Sequence, residues 1–209
     1  MLNMGHINHN RWRLGGKLVE RRYEPADDGG LARIMTLERG DSSRYEFELD
    51  DEVADLARNI QRGDFVVLAG TVGKGTFMPE GGHKEREFVK YEVTELEQVV
   101  ERTANINRLE LGGVITAWDR LTRDGSPVYG LKLLHGSTDW GFVVEGRAAV
   151  AVQRVATVGR PGIVEARIAA VQINPTDPSG RWRKRLKVTG LKAPGDSTGE
   201  DREHSPVAA

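Results

Sequence analysis

Hydrophobic and polar residues alternate strictly over residues 43–49, where Tyr45, Phe47 and Leu49 share one parity and charged residues take the other. Side chains of a β-strand point alternately to opposite faces, so this pattern predicts a strand with one buried face. Comparable apolar patterns in the first half of the chain predict further strands over residues 11–23, 31–38, 65–72 and about 88–99.

Between the third and fourth predicted strands the apolar spacing becomes that of a helix. Apolar residues fall at i, i+3, i+4 and i+7, at Val53, Leu56, Ala57 and Ile60. Asp50 or Asp51 is the expected N-cap, and Gly63 is expected to end the helix. Five strands with one helix after the third is the order of the oligonucleotide/oligosaccharide-binding fold, or OB fold.

The second half of the chain repeats the first. The pattern Asn-Arg-x-x-Leu-Gly-Gly-x-aliphatic occurs at residues 10–18 and again at residues 107–115. The second copy opens a similar series of strands, over residues 107–121, 128–135, 138–145, 163–173 and 181–192, with a helix over 146–158. The sequence therefore predicts an all-β chain of two tandem five-stranded OB barrels, each with one short helix.

The predicted barrels span residues 10–100 and 107–193, and residues 101–106 link them. The polar segments 1–9 and 194–209 are expected to be a disordered leader and a disordered tail. In the first predicted strand, residues 11–23, the glycines are expected to let one long strand bend sharply and serve two sheets.

Composition narrows the class of protein. The 209 residues include no Cys, which excludes disulfides and thiolate chemistry and makes a reducing cytoplasm the simplest location. No apolar run approaches the roughly 20 residues of a membrane span. The catalytic motifs of hydrolases, nucleotide-binding enzymes and zinc proteases are absent, and His6 and His9 lack further ligands nearby. We therefore expect no catalysis, no cofactor, no metal and no membrane contact.

Charge is distributed unevenly between the two halves. Residues 1–104 contain 15 Lys and Arg against 20 Asp and Glu, whereas residues 105–194 contain 14 against 7. The second half, at +7, is therefore the better candidate for a polyanion partner than the first, at −5.

The strongest signal for such a partner is the basic strand that begins at residue 181. Leu186 and Val188 should point inward, which places alternate cations on the opposite face at steps of about 6.6 Å. That spacing suits the phosphates of an extended single strand. A solvated strand face is the alternative, but mutual repulsion of the like charges favours binding. The expected contacts here are Arg181, Trp182, Arg183, Lys184, Arg185 and Lys187.

Aromatic rings are the second signal, because exposed rings stack bases at about 1–3 kcal/mol each. In the second half the candidates are Trp140, Phe142, Tyr129 and Trp182, and in the first half they are Phe77, Phe88, Tyr45 and Phe47. Any one of these rings fits a core position equally well, and Trp12 and Tyr45 are expected core residues. Phe77 is the best first-half candidate because it falls in a predicted loop, residues 73–87, that carries Lys74, Lys84 and Arg86. Further cations share one face of the first strand, at Arg11, Arg13 and Lys17.

These residues resemble the bacterial single-stranded DNA-binding protein family. In that family the first strand opens with Asn-x-x-x-Leu-x-Gly-x-Leu, which is matched by Asn10, Leu14, Gly16 and Leu18 and again by Asn107, Leu111, Gly113 and Ile115. The family's basic residue, Gly, apolar strand and Gly resemble residues 62–70. Its two stacking Trp positions resemble Phe77 in one case and Trp140 with Tyr45 in the other.

The resemblance implies a protein that binds single-stranded DNA with little sequence preference and protects it in replication, recombination or repair. It also implies a homodimer that supplies four OB folds, and replication or repair proteins as partners. The chain ends without the family's acidic Pro-Phe tail, which adds a likeness to the primosomal replication protein B group. Two alternatives stay open: an OB-fold interaction or assembly module with weak or no DNA binding, favoured by the acidic face that carries Glu46 and Glu48, and an RNA binder.

Overall fold

The computed structural model describes residues 9–26, 29–40, 42–78, 84–123, 126–172 and 182–194. The first half contains β1 (Asn10–Pro25), β2 (Leu31–Glu38), β3 (Arg44–Leu49), α1 (Asp51–Leu56), a 3-10 turn (Ala57–Asn59), β4 (Phe65–Phe77) and β5 (Arg86–Val99). A second 3-10 turn (Glu101–Ala104) precedes β6 (Asn107–Arg123), β7 (Ser126–His135), β8 (Thr138–Glu145), α2 (Gly146–Val155), β9 (Pro161–Gln172) and β10 (Trp182–Lys192). The predicted, mostly β fold with one short helix in each half is confirmed.

The described chain forms two compact units. The N-terminal unit comprises residues 10–110 together with residues 166–188, and the C-terminal unit comprises residues 111–165 with His9 and the described residues from Thr189 onward. The described residues of β9 from Ala166 onward and of β10 up to Val188 therefore belong to the N-terminal unit. The expected leader and tail, residues 1–9 and 194–209, lie almost wholly outside the described residues.

In the first half, antiparallel pairing gives the strand order β3-β2-β1-β4-β5. The long strand β1 pairs with β4 through residues 12–17 and with β2 through residues 17–25, with a register shift between Leu18 and Glu20. Strand β1 therefore pairs with different strands before and after its bend, but β2 and β4 belong to one continuous sheet rather than to the two sheets expected. Gly16 is required at the bend, because a Cβ there would lie 2.9 Å from the carbonyl oxygen of Glu38.

Helix α1 begins as the sequence predicts but buries a different face. The carboxylate of Asp50 accepts a hydrogen bond from the backbone N–H of Val53 at 2.9 Å, so Asp50 is the N-cap. Leu56, expected on the apolar face, is 61% exposed. The α-helix has only six residues and then tightens to three residues per turn, which keeps Ala57 and Ile60 buried while Leu56 points outward.

The β4–β5 hairpin is longer than predicted. The loop expected over residues 73–87 is largely strand, since β4 continues through Phe77 and β5 starts at Arg86. Phe77 and Lys74 therefore lie on a strand, and their side chains follow its alternation.

The second half pairs its strands in the order β8-β7-β6-β9-β10, which is the order of the first half. The asparagine of each copy of the repeated motif makes the same pair of contacts. The Asn10 side chain donates to the carbonyl of Val72 and accepts from its N–H, and the Asn107 side chain does the same with Ile168. The register shift of β1 also recurs in β6, between Ile115 and Ala117.

The core of the C-terminal unit lies between the β6–β7–β8 strands and α2. Every second residue of β8 is buried, at Trp140, Phe142 and Val144, and α2 packs Ala149 and Val152 inward. The predicted period-2 pattern of β8 is thus confirmed, and both large rings on it are core residues.

Candidate nucleic-acid interface

One face of the β4–β5 hairpin carries an exposed aromatic pair. Phe77 is 47% exposed and Phe88 is 41% exposed, and their ring centroids are 6.1 Å apart at an interplanar angle of 64°. In the antiparallel register Phe77 lies opposite Arg86, and Phe88 lies opposite Gly75. Directly paired residues share a face, so both rings stand on the same side of the hairpin. We call Phe77 and Phe88 the aromatic platform.

Glycine makes room for this platform. A Cβ at Gly75 would lie 2.4 Å from the tip of the Phe88 ring, so the ring rests directly on the glycine backbone. At Gly73, on the same face, a Cβ would meet only a Glu92 carboxylate oxygen at 3.9 Å. The two glycines therefore have different roles: Gly75 seats the ring and Gly73 leaves the adjoining face bare.

Two cations flank the platform on the same face. Arg86 pairs with Phe77 in the register and is exposed, and Lys90 pairs with Gly73, its side chain 59% exposed and 3.9 Å from Glu92. Lys84 is also exposed, just before β5 begins. The platform and its cations combine stacking surface and positive charge at one end of a two-stranded ribbon.

Lys74 does not join this face, which corrects the expectation that it flanks Phe77. Lys74 and Phe77 are three residues apart. Because β4 remains a strand here, their side chains point to opposite faces. The Lys74 ammonium lies 2.6 Å from a Glu87 carboxylate oxygen on the reverse face.

Strand β10 presents the second basic surface. Arg183, Arg185 and Lys187 alternate along the strand and are exposed, whereas Leu186 is half-buried and Val188 is buried. Within the part of the chain that the structure describes, these three cations form no salt bridge. We call Arg183, Arg185 and Lys187 the basic row. Arg181 and the ring of Trp182 lie outside the described residues, and their expected contacts stay predictions.

Lys184 points away from the basic row. Its ammonium lies 4.3 Å from the ring centroid of Phe47 and 5.0 Å from that of Tyr91, and it donates to the carbonyl oxygen of Glu46. Burial lowers the pKa of Lys184 to about 8, while the charge of Glu46 opposes that shift. The expected phosphate contact at Lys184 is therefore corrected: its ammonium is already engaged inside the N-terminal unit.

The expected rings of the second half do not face solvent. Trp140 is 4% exposed and Phe142 is 6% exposed, so their burial argues against base stacking. Tyr129 is half-buried and stacks on Trp118, with centroids 4.6 Å apart and planes 4° from parallel. These rings form part of the core because period-2 strands place large apolar residues on the packed face.

The cations of β1 are paired with carboxylates of β5. Arg11 lies 3.2 Å from Glu95, and Arg13 lies 3.7 Å from Glu97. Lys17 is exposed on the same strand. These pairs are solvent-exposed and weak individually, yet they neutralise most of the charge that the first strand was expected to offer.

Sequence reasoning missed Lys90 and the pairing of Phe88 with Phe77. The available signal was the alternation from Phe88 to Lys90, which places both residues on one face of β5. The glycines at 73 and 75 concealed the matching strand, because glycine-rich stretches usually indicate turns.

The described residues contain neither a group of metal ligands nor a helix that could cross a membrane. No cluster of three or more His, Asp or Glu side chains there is placed to hold a metal ion. Within the same ranges, no helix has the length and apolar character needed to cross a lipid bilayer.

The strand order β3-β2-β1-β4-β5, with a helix after the third strand, defines the class as an OB-fold protein. No family model matches the chain, and no curated protein matches it by sequence. Among solved structures, the wild-type single-stranded DNA-binding protein from Thermus aquaticus aligns with a TM-score of 0.57 and 17% identity, over 96% of this chain and 96% of that one. A deletion mutant of the Thermus aquaticus protein aligns with a TM-score of 0.55 and 16% identity, over 88% of this chain and 94% of that one.

The chain thus has the fold of these single-stranded DNA-binding proteins, which confirms the resemblance at the level of the fold. The likeness to the primosomal replication protein B group stays a prediction.

Proposed function

We propose that this protein binds single-stranded DNA with little sequence preference and without catalysis. The observation that carries the proposal is the aromatic platform, in which Phe77 and Phe88 stand exposed over Gly75 beside Arg86 and Lys90. The fold shared with the Thermus aquaticus single-stranded DNA-binding protein supports it.

The chemistry of the platform suits unpaired bases. A phenylalanine ring has no hydrogen-bonding group. A base that stacks on Phe77 or Phe88 therefore displaces water from the ring without breaking a hydrogen bond of the side chain. Every base has a π-face, which makes such stacking tolerant of sequence. Duplex DNA hides its base faces in the stack, so the platform favours single strands over duplex.

The basic row is proposed as the second contact. Cations at alternate positions of an extended strand are about 6.6 Å apart, which matches the phosphate spacing of an extended single strand. Arg183, Arg185 and Lys187 have no salt-bridge partner among the described residues, so a phosphate need not displace any described carboxylate from them. Arg181 and Trp182 are proposed to extend this contact, with Trp182 stacking a base.

The two contacts are separated by binding titrations with a fluorescent oligo-dT at several salt concentrations. Phe88→Ala should lower affinity by about 1–3 kcal/mol with an unchanged salt slope, since stacking releases no counterions. The double change Arg183→Ala with Arg185→Ala should flatten the log–log salt slope by about 1.4, at roughly 0.7 per lost phosphate contact. Val89→Ala, on the reverse face of the hairpin, is the matched control for Phe88. If Phe88→Ala and the double variant both bind like the parent at every salt concentration, as the control should, the proposal fails.

A second candidate function, a protein-interaction or assembly module, is favoured by one observation. Across the first half, the cations Arg11 and Arg13 are neutralised by Glu95 and Glu97. A gel shift with single-stranded DNA, duplex DNA and RNA separates the candidates. Retention of the single strand alone supports the DNA proposal, equal retention of RNA makes the protein a general single-strand binder, and no retention favours the assembly module.

We further propose the architecture in which this activity operates. Asn10 and Asn107 make equivalent hydrogen bonds to the backbone of a neighbouring strand, and the two halves share one strand order. Both observations support two tandem OB barrels, over residues 10–100 and 107–193. Two chains would pair to present four barrels in replication, recombination or repair, together with protein partners of those processes. Light scattering at micromolar concentration tests the pairing, and a strict monomer would contradict it.

A further inference from the structure

Lys184 occupies an unusual place for a cation of a basic strand. Strands β3 and β5 are the two terminal strands in the pairing order of the first half, and they lie against each other. Phe47 projects from β3 and Tyr91 from β5, with ring centroids 6.2 Å apart. The Lys184 ammonium lies within 5.0 Å of both ring centroids, at the seam between these two strands.

The contacts of Lys184 satisfy its ammonium locally. The faces of aromatic rings attract cations, and this attraction is stronger where water is excluded. β3 is a terminal strand, so part of its backbone lacks a strand partner, and the carbonyl oxygen of Glu46 accepts a hydrogen bond from Lys184. The four-carbon stem of the lysine supplies apolar contact on the way.

The neighbouring charges define the electrostatics of the seam. The Glu46 carboxylate also lies 3.1 Å from the Arg22 guanidinium, so it is already partly neutralised. Burial raises the pKa of Tyr91, which keeps its hydroxyl protonated and neutral. Lys184 is therefore the cation that the seam accommodates, and a carboxylate in its place would meet both the ring faces and Glu46.

We propose that Lys184 is a positioning residue, which fastens strand β10 at the β3–β5 seam and thereby holds the basic row, Arg183, Arg185 and Lys187, toward solvent. Alternation is the mechanical link: with Lys184 fixed inward, its neighbours on both sides must point outward. β10 is the terminal strand of the pairing order and follows β9, so the contact of Lys184 adds a tether beyond that one strand pairing. This inference deepens the proposed function and rests on it for the role of the row.

The test compares two identical charge reversals on the same strand. Lys184→Glu places a carboxylate in the seam, whereas Lys187→Glu places one on the exposed face three residues away, and both change the net charge equally. Hydrogen–deuterium exchange is measured on the full chain without DNA, in peptides covering residues 182–188, with β4 peptides as the internal reference. Lys184→Glu should accelerate exchange of β10 amides at least tenfold, and Lys187→Glu should change it less than twofold.

Lys184→Met is the conservative variant, because it keeps the apolar stem over the rings and adds no negative charge. It should retain most of the protection of β10, with less than a fivefold acceleration. If Lys184→Glu and Lys187→Glu exchange alike, the anchor is refuted whatever the DNA results are. If β4 exchange also accelerates in Lys184→Glu, the whole unit has loosened, and the comparison is then made between Lys184→Met and Lys184→Ala, where only loss of the stem should release β10.

Binding measurements on the same variants separate this inference from the proposed function. Both reversals should weaken oligo-dT binding. Only Lys184→Glu should do so with accelerated β10 exchange, and Lys184→Met should bind within about threefold of the parent. Accelerated exchange in Lys184→Glu without any change in DNA binding would preserve the anchor and overturn the role of the basic row in DNA binding.

Discussion

The repeated asparagine offers the sharpest test of the internal repeat. Asn10 joins β1 to β4 through both backbone groups of Val72, at 2.9 Å and 2.8 Å. Asn107 joins β6 to β9 through both backbone groups of Ile168, each at 2.8 Å. Changing either asparagine to alanine removes two partly buried hydrogen bonds and leaves a backbone N–H and C=O without their partners.

The size of the effect follows from those two bonds. A typical hydrogen bond contributes about 0.5–1.5 kcal/mol net, and a buried group left unpaired costs about 1–3 kcal/mol. We expect Asn10→Ala to lower the free energy of unfolding by about 2–4 kcal/mol, and Asn107→Ala to lower it by the same amount within about 1 kcal/mol. Aspartate is not a substitute at either position, because one of its oxygens would face a carbonyl that now receives a hydrogen bond.

Urea unfolding followed by circular dichroism measures the change. A shift of the midpoint with an unchanged slope would report a loss of native stability rather than a changed denatured state. Amide exchange read residue by residue adds a local signal, since protection at Val72 should fall only in Asn10→Ala and at Ile168 chiefly in Asn107→Ala. Asn59→Ala, at an exposed position, should stay within about 0.5 kcal/mol of the parent. A loss below about 1 kcal/mol at Asn10, or a loss at one asparagine and none at the other, would contradict the equivalent roles assigned to the two side chains.

Two further predictions concern the glycines under the aromatic platform and the buried Lys184. Gly75→Ala should displace the platform ring that rests on it and weaken oligo-dT binding at least threefold, whereas Gly73→Ala, whose Cβ meets nothing closer than 3.9 Å, should bind like the parent in the same titration. Burial lowers the pKa of Lys184 to about 8 from its ordinary value near 10.5, so between these two pH values the unfolded chain binds the Lys184 proton more tightly than the folded chain, and stability rises with pH. The parent should therefore gain on the order of 1–2 kcal/mol of unfolding free energy relative to Lys184→Met between pH 8 and pH 10, and parallel urea midpoints across that range would contradict this.

The element order was accessible from the sequence because the hydrophobic pattern is strong. β2 and β8 have the predicted bounds, and the buried parity of β3 was fixed by Tyr45, Phe47 and Leu49. These strands each pack one face on a core, so their period-2 pattern is complete. Registers and strand order do not follow from such patterns, since they depend on contacts between residues distant in the chain.

The aromatic platform was only partly accessible, for a specific physical reason. Gly73 and Gly75 indicate a turn when read along the chain, yet here they lie within β4 and leave space for a ring from β5. Glycine has the same sequence appearance whether it permits a turn or a close approach. Only the cross-strand partner, Phe88, distinguishes the two roles, and partners become known with the register.

The position of Lys184 was likewise not predictable from the sequence, because it also depends on a partner distant in the chain. Its parity places it with Leu186, on the inward side, but a lysine in a run of five cations suggests a solvent-facing role. The deciding contact is with Glu46, 138 positions earlier in the chain, and no local pattern contains that information. A long apolar stem with a terminal charge can serve either environment.

The position of Lys184 at the β3–β5 seam lowers the salt dependence that we expect for binding of single-stranded DNA. If every cation of residues 181–187 met a phosphate, five contacts would contribute roughly 3.5 to the log–log slope on a single strand, at about 0.7 each. With Lys184 engaged at the seam, the basic row supplies three described contacts, or roughly 2.1, and Arg181 would raise this to about 2.8. The loss of slope in Lys184→Met should therefore be close to zero, whereas Lys187→Met should lose about 0.7. A loss of about 0.7 in Lys184→Met would mean that its ammonium leaves the Phe47–Tyr91 pair to meet DNA, and that the seam opens on binding.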